Sequence, residues 1–284
     1  MATLAKQVLR TSATPWQDLA EAGLLELEDM LDIVALLEQV GRGGGRVPVL
    51  ETLVLGAPAR QADDPAELLL TGAPFSDTLR LEDGRASGTV EAVPSGTVAQ
   101  RLVVAAGGLL CAVELADCRV EAQEGTNSDV VARVTLENVP VRVVGDAEAV
   151  SAWHRRVAVG VSAMLLGLSR EALFMTARYT STRHQFGRPI GTFQAVSQRA
   201  ADAWIEVNAM ELTLSQAAWR LDAGLGCDRE IAIARFQAAE GSHRVLAAAQ
   251  HLHGGMGFDK DYALHRYFLT AKACLLYTSP SPRD

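Results

Sequence analysis

The chain has 284 residues, 49% of them hydrophobic and 21% charged, with 34 acidic against 26 basic side chains and a formal net charge of −8. That length and apolar content can bury one large core or two to three smaller ones, and the acidic balance, with no dense Lys/Arg run, argues against a nucleic-acid binder. Cys111, Cys118, Cys227 and Cys274 form no Cys-x-x-Cys pair and no Cys/His spacing for zinc, so a disulfide framework or structural metal is not expected and a reducing cytoplasm is the default location. The stretch from Met1 to Gln17 lacks the apolar centre of a signal peptide, and no apolar run reads as a membrane span.

Residues 1–60 read as a short helical region. Trp16, Leu19, Ala20, Leu24 and Leu25 fall at helical spacing, interrupted at Gly23; Met30, Ile33, Leu36, Leu37 and Val40 form a second apolar face closed by Gly41. The run Gly43-Gly44-Gly45 reads as a plain loop, since no strand precedes it and no Lys-Ser/Thr follows it. Residues 61–147 read as a β-domain. Leu102–Val104, Leu109–Val113, Val130–Val134 and Val139–Val144 are short apolar or β-branched runs, separated by turn chemistry at Asp83-Gly84, Pro94-Ser95-Gly96, Gly107-Gly108 and Gly125-Thr126-Asn127. This spacing predicts an antiparallel barrel or sandwich.

Residues 148–273 read as long helices: Ala152 to about Arg183, Gln194 to about Ala223, and Asp228, as N-cap, to about Leu252, with Gly254-Gly255 as the stop. Short loops between helices of this length predict an antiparallel bundle of the four-helix type. The fold class expected is therefore a multidomain α+β chain. The last stretch, Cys274–Asp284, matches one reading frame of a transposase adapter used in sequencing libraries; it is expected to be foreign, with the natural chain continuing past Ala273.

Two motifs stand at the helix ends. The first runs Arg183-His184-Gln185-Phe186-Gly187-Arg188-Pro189-Ile190 and on to Phe193-Gln194; the second is Gln250-His251-Leu252-His253-Gly254-Gly255-Met256-Gly257-Phe258, followed by Asp261-Tyr262 and His265-Arg266-Tyr267-Phe268. Their order and interval resemble the acyl-CoA dehydrogenase family, which carries R-x-Q-F-G-x-P-I-x-x-F-Q and H-G-G-x-G segments. The order of helices, β-domain and helices is also that of the family, with the front abbreviated.

The resemblance implies an FAD-dependent dehydrogenation of an acyl-CoA thioester to the enoyl-CoA, with electrons passing to electron-transfer flavoprotein. In the family the Arg of the first motif reaches the FAD of a neighbouring subunit. Carried over, the cofactor-binding residues are Arg183, Gln185, Phe186 and Gln194, with His251 where the family usually has Gln, and Gly254 and Gly255 in the second turn. The chemistry fits: a guanidinium offers a planar fork to a pyrophosphate, and paired glycines let backbone approach the cofactor. Singly, each residue has a plainer reading as a helix-end cation, core aromatic or helix stop; jointly they favour cofactor contact. His251 and His253, two apart at a helix end with no acid pair beside them, are not read as metal ligands.

The family's catalytic carboxylate removes a proton α to the thioester. One of its two family positions falls near Val157 and Ala158, beside Arg155 and Arg156, where no acid stands; the other falls in the tail region. The catalytic residue is thus not assigned. The Thr-Glu-Pro…Gly-Ser-Asp-like segment that holds the flavin ring has no counterpart between Leu70 and Val90. This combination resembles the β-type chains of heteromeric bacterial acyl-CoA dehydrogenases, in which an α-type partner supplies the base, a subgroup associated with steroid side-chain CoA esters. The alternatives are a truncated homo-oligomeric enzyme, or a non-catalytic interaction protein that keeps the fold and has lost the flavin.

Overall fold

The computed structural model describes residues 2–74, 79–125, 127 and 130–276. Residues 75–78 of the Leu70–Val90 stretch, Thr126 of an expected turn and residues 277–284 of the expected foreign tail lie outside them.

Three helices open the chain: α1 (Ala2–Thr11), α2 (Pro15–Glu21) and α3 (Met30–Arg42). Pro15 stands at the start of α2, where its fixed φ suits the first turn. Gly23, in the left-handed region at φ 70°, lies in the turn that follows. Met30, Ile33, Leu36, Leu37 and Val40 are all buried, as their spacing predicts.

Eight strands follow: β1 (Leu70–Ala73), β2 (Arg80–Glu82), β3 (Arg85–Pro94), β4 (Arg101–Ala106), β5 (Leu109–Glu114), β6 (Arg119–Glu124), β7 (Val130–Pro140) and β8 (Arg142–Gly145). They form two four-stranded sheets, in the orders β1-β4-β5-β8 and β2-β3-β7-β6. The sheets share a core in which Val90, Val93, Val134 and Leu136 meet Leu102, Val104, Cys111 and Val113. The architecture is a sandwich, not a closed barrel. It departs from the all-antiparallel expectation at one place, since β1 pairs with β4 in parallel. The run Val139–Val144, expected as one strand, is divided at Val141: its first part pairs with β3, its last with β5 in the other sheet.

The C-terminal part holds α4 (Ala147–Thr182), α5 (Gln194–Asp222), α6 (Asp228–His253) and α7 (Leu264–Leu275). Helices α4, α5 and α6 pack on one another, and α3 and α7 pack on α4. The N-terminal helices and this bundle share one hydrophobic core, from Leu19 through Leu37, Trp153 and Leu165 to Val245 and Leu264. By length and composition α4 could cross a membrane, but 83% of its most apolar window is buried inside the protein, which makes it the central helix of the bundle.

Three local departures have clear causes. Gly41 does not end α3; it lies within the helix, where a Cβ would stand 2.5 Å from the Met164 carbonyl. Across the same crossing, a Cβ on Gly167 would collide with the Glu38 carbonyl, so the two glycines let α3 and α4 touch backbone to backbone. Asp228 is the first residue of α6 and not its cap; its carboxylate accepts from Arg155 Nε at 2.7 Å. And α7 runs on through Cys274 and Leu275, with Cys274 buried.

Long-range polar contacts fasten the pieces. Asp222, the last residue of α5, accepts from the backbone N–H groups of Met30 (2.7 Å) and Leu31 (2.8 Å), capping α3, while the adjacent Asp29 makes no cap bond. Arg170 on α4 pairs with Glu38 on α3 and Glu211 on α5, and Arg42 pairs with Glu171.

Candidate cofactor-binding end of the bundle

Successive bundle helices run antiparallel, so the end of α4, the start of α5 and the end of α6 lie together. Both motifs fall there. Between α4 and α5 the chain forms a small hairpin, β9 (His184–Gln185) against β10 (Arg188–Pro189). Its tip residues, Phe186 (φ 53°) and Gly187 (φ 79°), are both left-handed, the conformation of a tight hairpin turn that matches strand twist. Glycine is the ordinary choice there; a phenylalanine is strained. That strained Phe186 is 91% exposed, its ring edge-on to Phe193 at 6.1 Å. The Arg188 guanidinium stacks 4.2 Å over the Phe193 ring, and the Ile190 N–H donates to the Arg183 carbonyl (2.8 Å), closing the hairpin base.

Arg183 caps α4, its N–H donating to the Tyr179 carbonyl at 2.9 Å. Its side chain is exposed and has no hydrogen-bond or ion-pair partner among the described residues. Gln194, the first residue of α5, is also exposed. Gln185 is exposed too, but its amide is turned back to donate to the His184 carbonyl (2.8 Å), away from the role expected of it in this conformation. His251 is exposed on the last turn of α6 and lines a 390 Å³ groove with Arg199, Glu206 and Arg244.

The glycines divide their work. Gly254 ends α6 at φ 58°, a conformation costly for any side chain, and a Cβ on Gly254 or Gly255 would meet nothing within 4 Å. Their backbone is therefore open to a ligand. Gly257 is different: a Cβ there would collide with the Gln250 carbonyl, so its small size folds the turn back on α6.

Sequence reasoning missed what holds this end together. His253 is 2% exposed. Its ring stacks on Tyr179 of α4 (centroids 4.4 Å, interplanar angle 23°). Nδ1 lies 2.8 Å from the Ala249 carbonyl and Nε2 lies 3.2 Å from the Tyr262 hydroxyl. A carbonyl only accepts, so Nδ1 carries the proton and the neutral ring accepts from Tyr262 at Nε2. Burial holds the imidazole pKa below its ordinary value and pushes that of the Tyr262 phenol up. The motif places a histidine before the glycine pair, but nothing in the sequence shows that its ring is buried.

A second cavity, about 1030 Å³, opens between the sandwich and the helices, with Pro48, Glu51, Leu55, Ala92, Met164 and Thr270 among its walls. Its rim is irregular. Glu51–Leu55 forms a π-helical turn, β3 is bulged between Val90 and Val93, and Ala92 and Ser95 are both left-handed at φ 53°. Glu91 on this rim is held by Arg133 (2.8 Å), which keeps its carboxyl below the usual range. On α4, Val157 is buried and Ala158 half-buried; Arg155 is tied to Asp228 and Glu148, and Arg156 donates to the Glu28 carbonyl at 3.0 Å. Those two arginines are structural ties. Among the described residues no group of three or more His, Cys, Asp or Glu side chains could hold a metal.

Residues 153–278 match the family model for the acyl-CoA dehydrogenase C-terminal domain. The acyl-CoA dehydrogenase FadE27 of Mycobacterium tuberculosis is 35% identical over 306 aligned positions, covering 90% of this chain and 82% of that relative. Among solved structures, the Tcur3481-Tcur3483 steroid ACAD G363A variant superposes with a TM-score of 0.86 at 31% identity, over 96% of this chain and 91% of that one. The ChsE4-ChsE5 complex of Mycobacterium tuberculosis gives 0.84 at 31%, over 97% and 88%.

Proposed function

Because this chain belongs to the acyl-CoA dehydrogenase family, we propose that it is a β-type subunit of an FAD-dependent acyl-CoA dehydrogenase, lending one end of its bundle to a flavin seated in an α-type partner. One observation carries the reading. Arg183 is a guanidinium without a partner among the described residues, at the same end of the bundle as an exposed aromatic tip and the exposed Gly254–Gly255 turn. That set suits a dinucleotide, with fixed positive charge for the pyrophosphate, glycine backbone that a phosphate can approach without meeting a Cβ, and an aromatic face for a base.

Arg183, Phe186, Gln194, His251, Gly254 and Gly255 would hold the FAD, with Gln185 joining once its amide turns outward. When bound, FAD supplies the electron acceptor for α,β-desaturation of an acyl-CoA. This chain's residues orient and charge-balance the cofactor; no residue in it is assigned as the base. Electrons leave to electron-transfer flavoprotein, and the complex works in the cytoplasm. A polycyclic CoA ester of the steroid type is the proposed substrate class, supported by the similar steroid ACAD.

A partner surface is available. Ile205, Leu212 and Trp219, each seven residues from the next, form one exposed apolar line on α5, and Phe236 is exposed on α6. Expressed alone, the chain should be colourless; co-expressed with an α-type acyl-CoA dehydrogenase it should copurify as a yellow complex that bleaches on acyl-CoA. Arg183→Ala should lower the flavin content of the complex while the helical content stays. Full flavin occupancy in that variant removes the assignment, and failure of every co-expression to yield flavin leaves the non-catalytic interaction protein.

A further inference from the structure

Two motifs on different helices meet one cofactor only if they are held in one register. Arg183 is set by the last turn of α4 through the Tyr179 carbonyl, whereas Gly254 and Gly255 follow directly from α6. The contacts of His253 join exactly these parts: its ring lies on Tyr179, its Nδ1 is anchored to Ala249 one turn back on α6, and its Nε2 accepts from Tyr262 beyond the glycine turn. We propose that His253 is the positioning residue of the dinucleotide cradle, fixing the Gly254–Gly255 turn against the Tyr179–Arg183 end of α4. The proposal rests on the flavin-contacting role of Arg183.

The chemistry of the site fits a positioning role. An apolar residue would fill the space but leave the Tyr262 hydroxyl without its acceptor. A buried polar ring with both nitrogens engaged has one orientation, and so transmits the place of Tyr179 to the glycine turn. The charged group acting on this cluster is Arg178, whose field reaches Tyr262 and whose guanidinium lies 5.8 Å from the Phe174 ring. Among the described residues no carboxylate contacts His253.

The test is a double-mutant cycle on FAD dissociation from the copurified complex, read by flavin fluorescence, with circular dichroism as a control for folding. His253→Phe keeps a ring against Tyr179 and removes both hydrogen bonds; it should weaken FAD binding by about tenfold, the order of one charge-assisted contact. Added to Arg183→Ala, it should weaken binding little further, because it acts through the placement of Arg183. His253→Gln, which restores an acceptor towards Tyr262, should recover part of the loss. Tyr262→Phe, which deletes one hydroxyl from a half-buried ring, gives the same reading with less risk to folding and should show a smaller loss of the same non-additive kind. Additive losses, or binding unchanged by both His253→Phe and Tyr262→Phe while Arg183→Ala weakens it, overturn the positioning role alone. Binding unchanged by Arg183→Ala overturns instead the reading on which it rests.

Discussion

The α3–α4 crossing and the hairpin end of the bundle are built to opposite rules. At the crossing the glycines and charges are answered within the chain: glycine meets backbone, and Arg170 and Arg42 meet Glu38, Glu211 and Glu171; at the start of α3, Asp222 supplies the cap. At the hairpin end Arg183 is unpaired among the described residues, Phe186 is largely exposed and Gly254–Gly255 face open space. The difference separates two kinds of residue that look alike in sequence. Charges and glycines answered at home maintain the fold; those left unanswered are available to another molecule.

Mutations can break or sharpen that contrast. The largest effect is expected at the crossing, where Gly167→Val drives a side chain into the Glu38 carbonyl; a loss of about 3 kcal/mol or more, or insolubility, should appear in urea denaturation. Asp222→Ala uncaps α3 from a distance and should cost about 1–2 kcal/mol in the same assay. His253 gives a smaller, pH-dependent effect. Its folded pKa lies below the ordinary 6.5, so its contribution is intact above that value and is lost as pH falls below it, until the folded protein itself takes the proton. Thermal melts between pH 7 and 5 should therefore slope downward in the wild type and less so in His253→Phe. At the open surface, Arg183→Ala and Leu212→Glu should shift the stability of the free chain by less than about 0.5 kcal/mol. The first should nevertheless lower flavin content in the complex, and the second should abolish copurification with the partner. A large stability loss from either would erase the contrast.

The long helices were legible because three or more turns of apolar periodicity leave little ambiguity, and α4, α5 and α6 fall within a few residues of expectation at nearly every end. The sheets were half legible. Leu102–Val104 and Leu109–Val113 announce themselves, but β1 is Leu-Thr-Gly-Ala and β3 carries Gly88 and a bulge, so neither offers a clean alternation. The sheet change at Val141 was hidden because both its sides are apolar. Gly41 was read as a stop because a glycine's need for space is set by a neighbour 126 positions away. At the candidate site the motif residues were legible, His253 and Tyr262 among them, but their packing with Tyr179 was not, since stacking across helices leaves no local pattern.

The left-handed phenylalanine at the hairpin tip sets stability against assembly. Phe186→Gly would relieve a conformation costing about 1 kcal/mol and should leave the isolated chain more stable. A screen for heat resistance or yield in the free chain would therefore favour its loss, and so select away a ring whose proposed use begins only in the assembled complex.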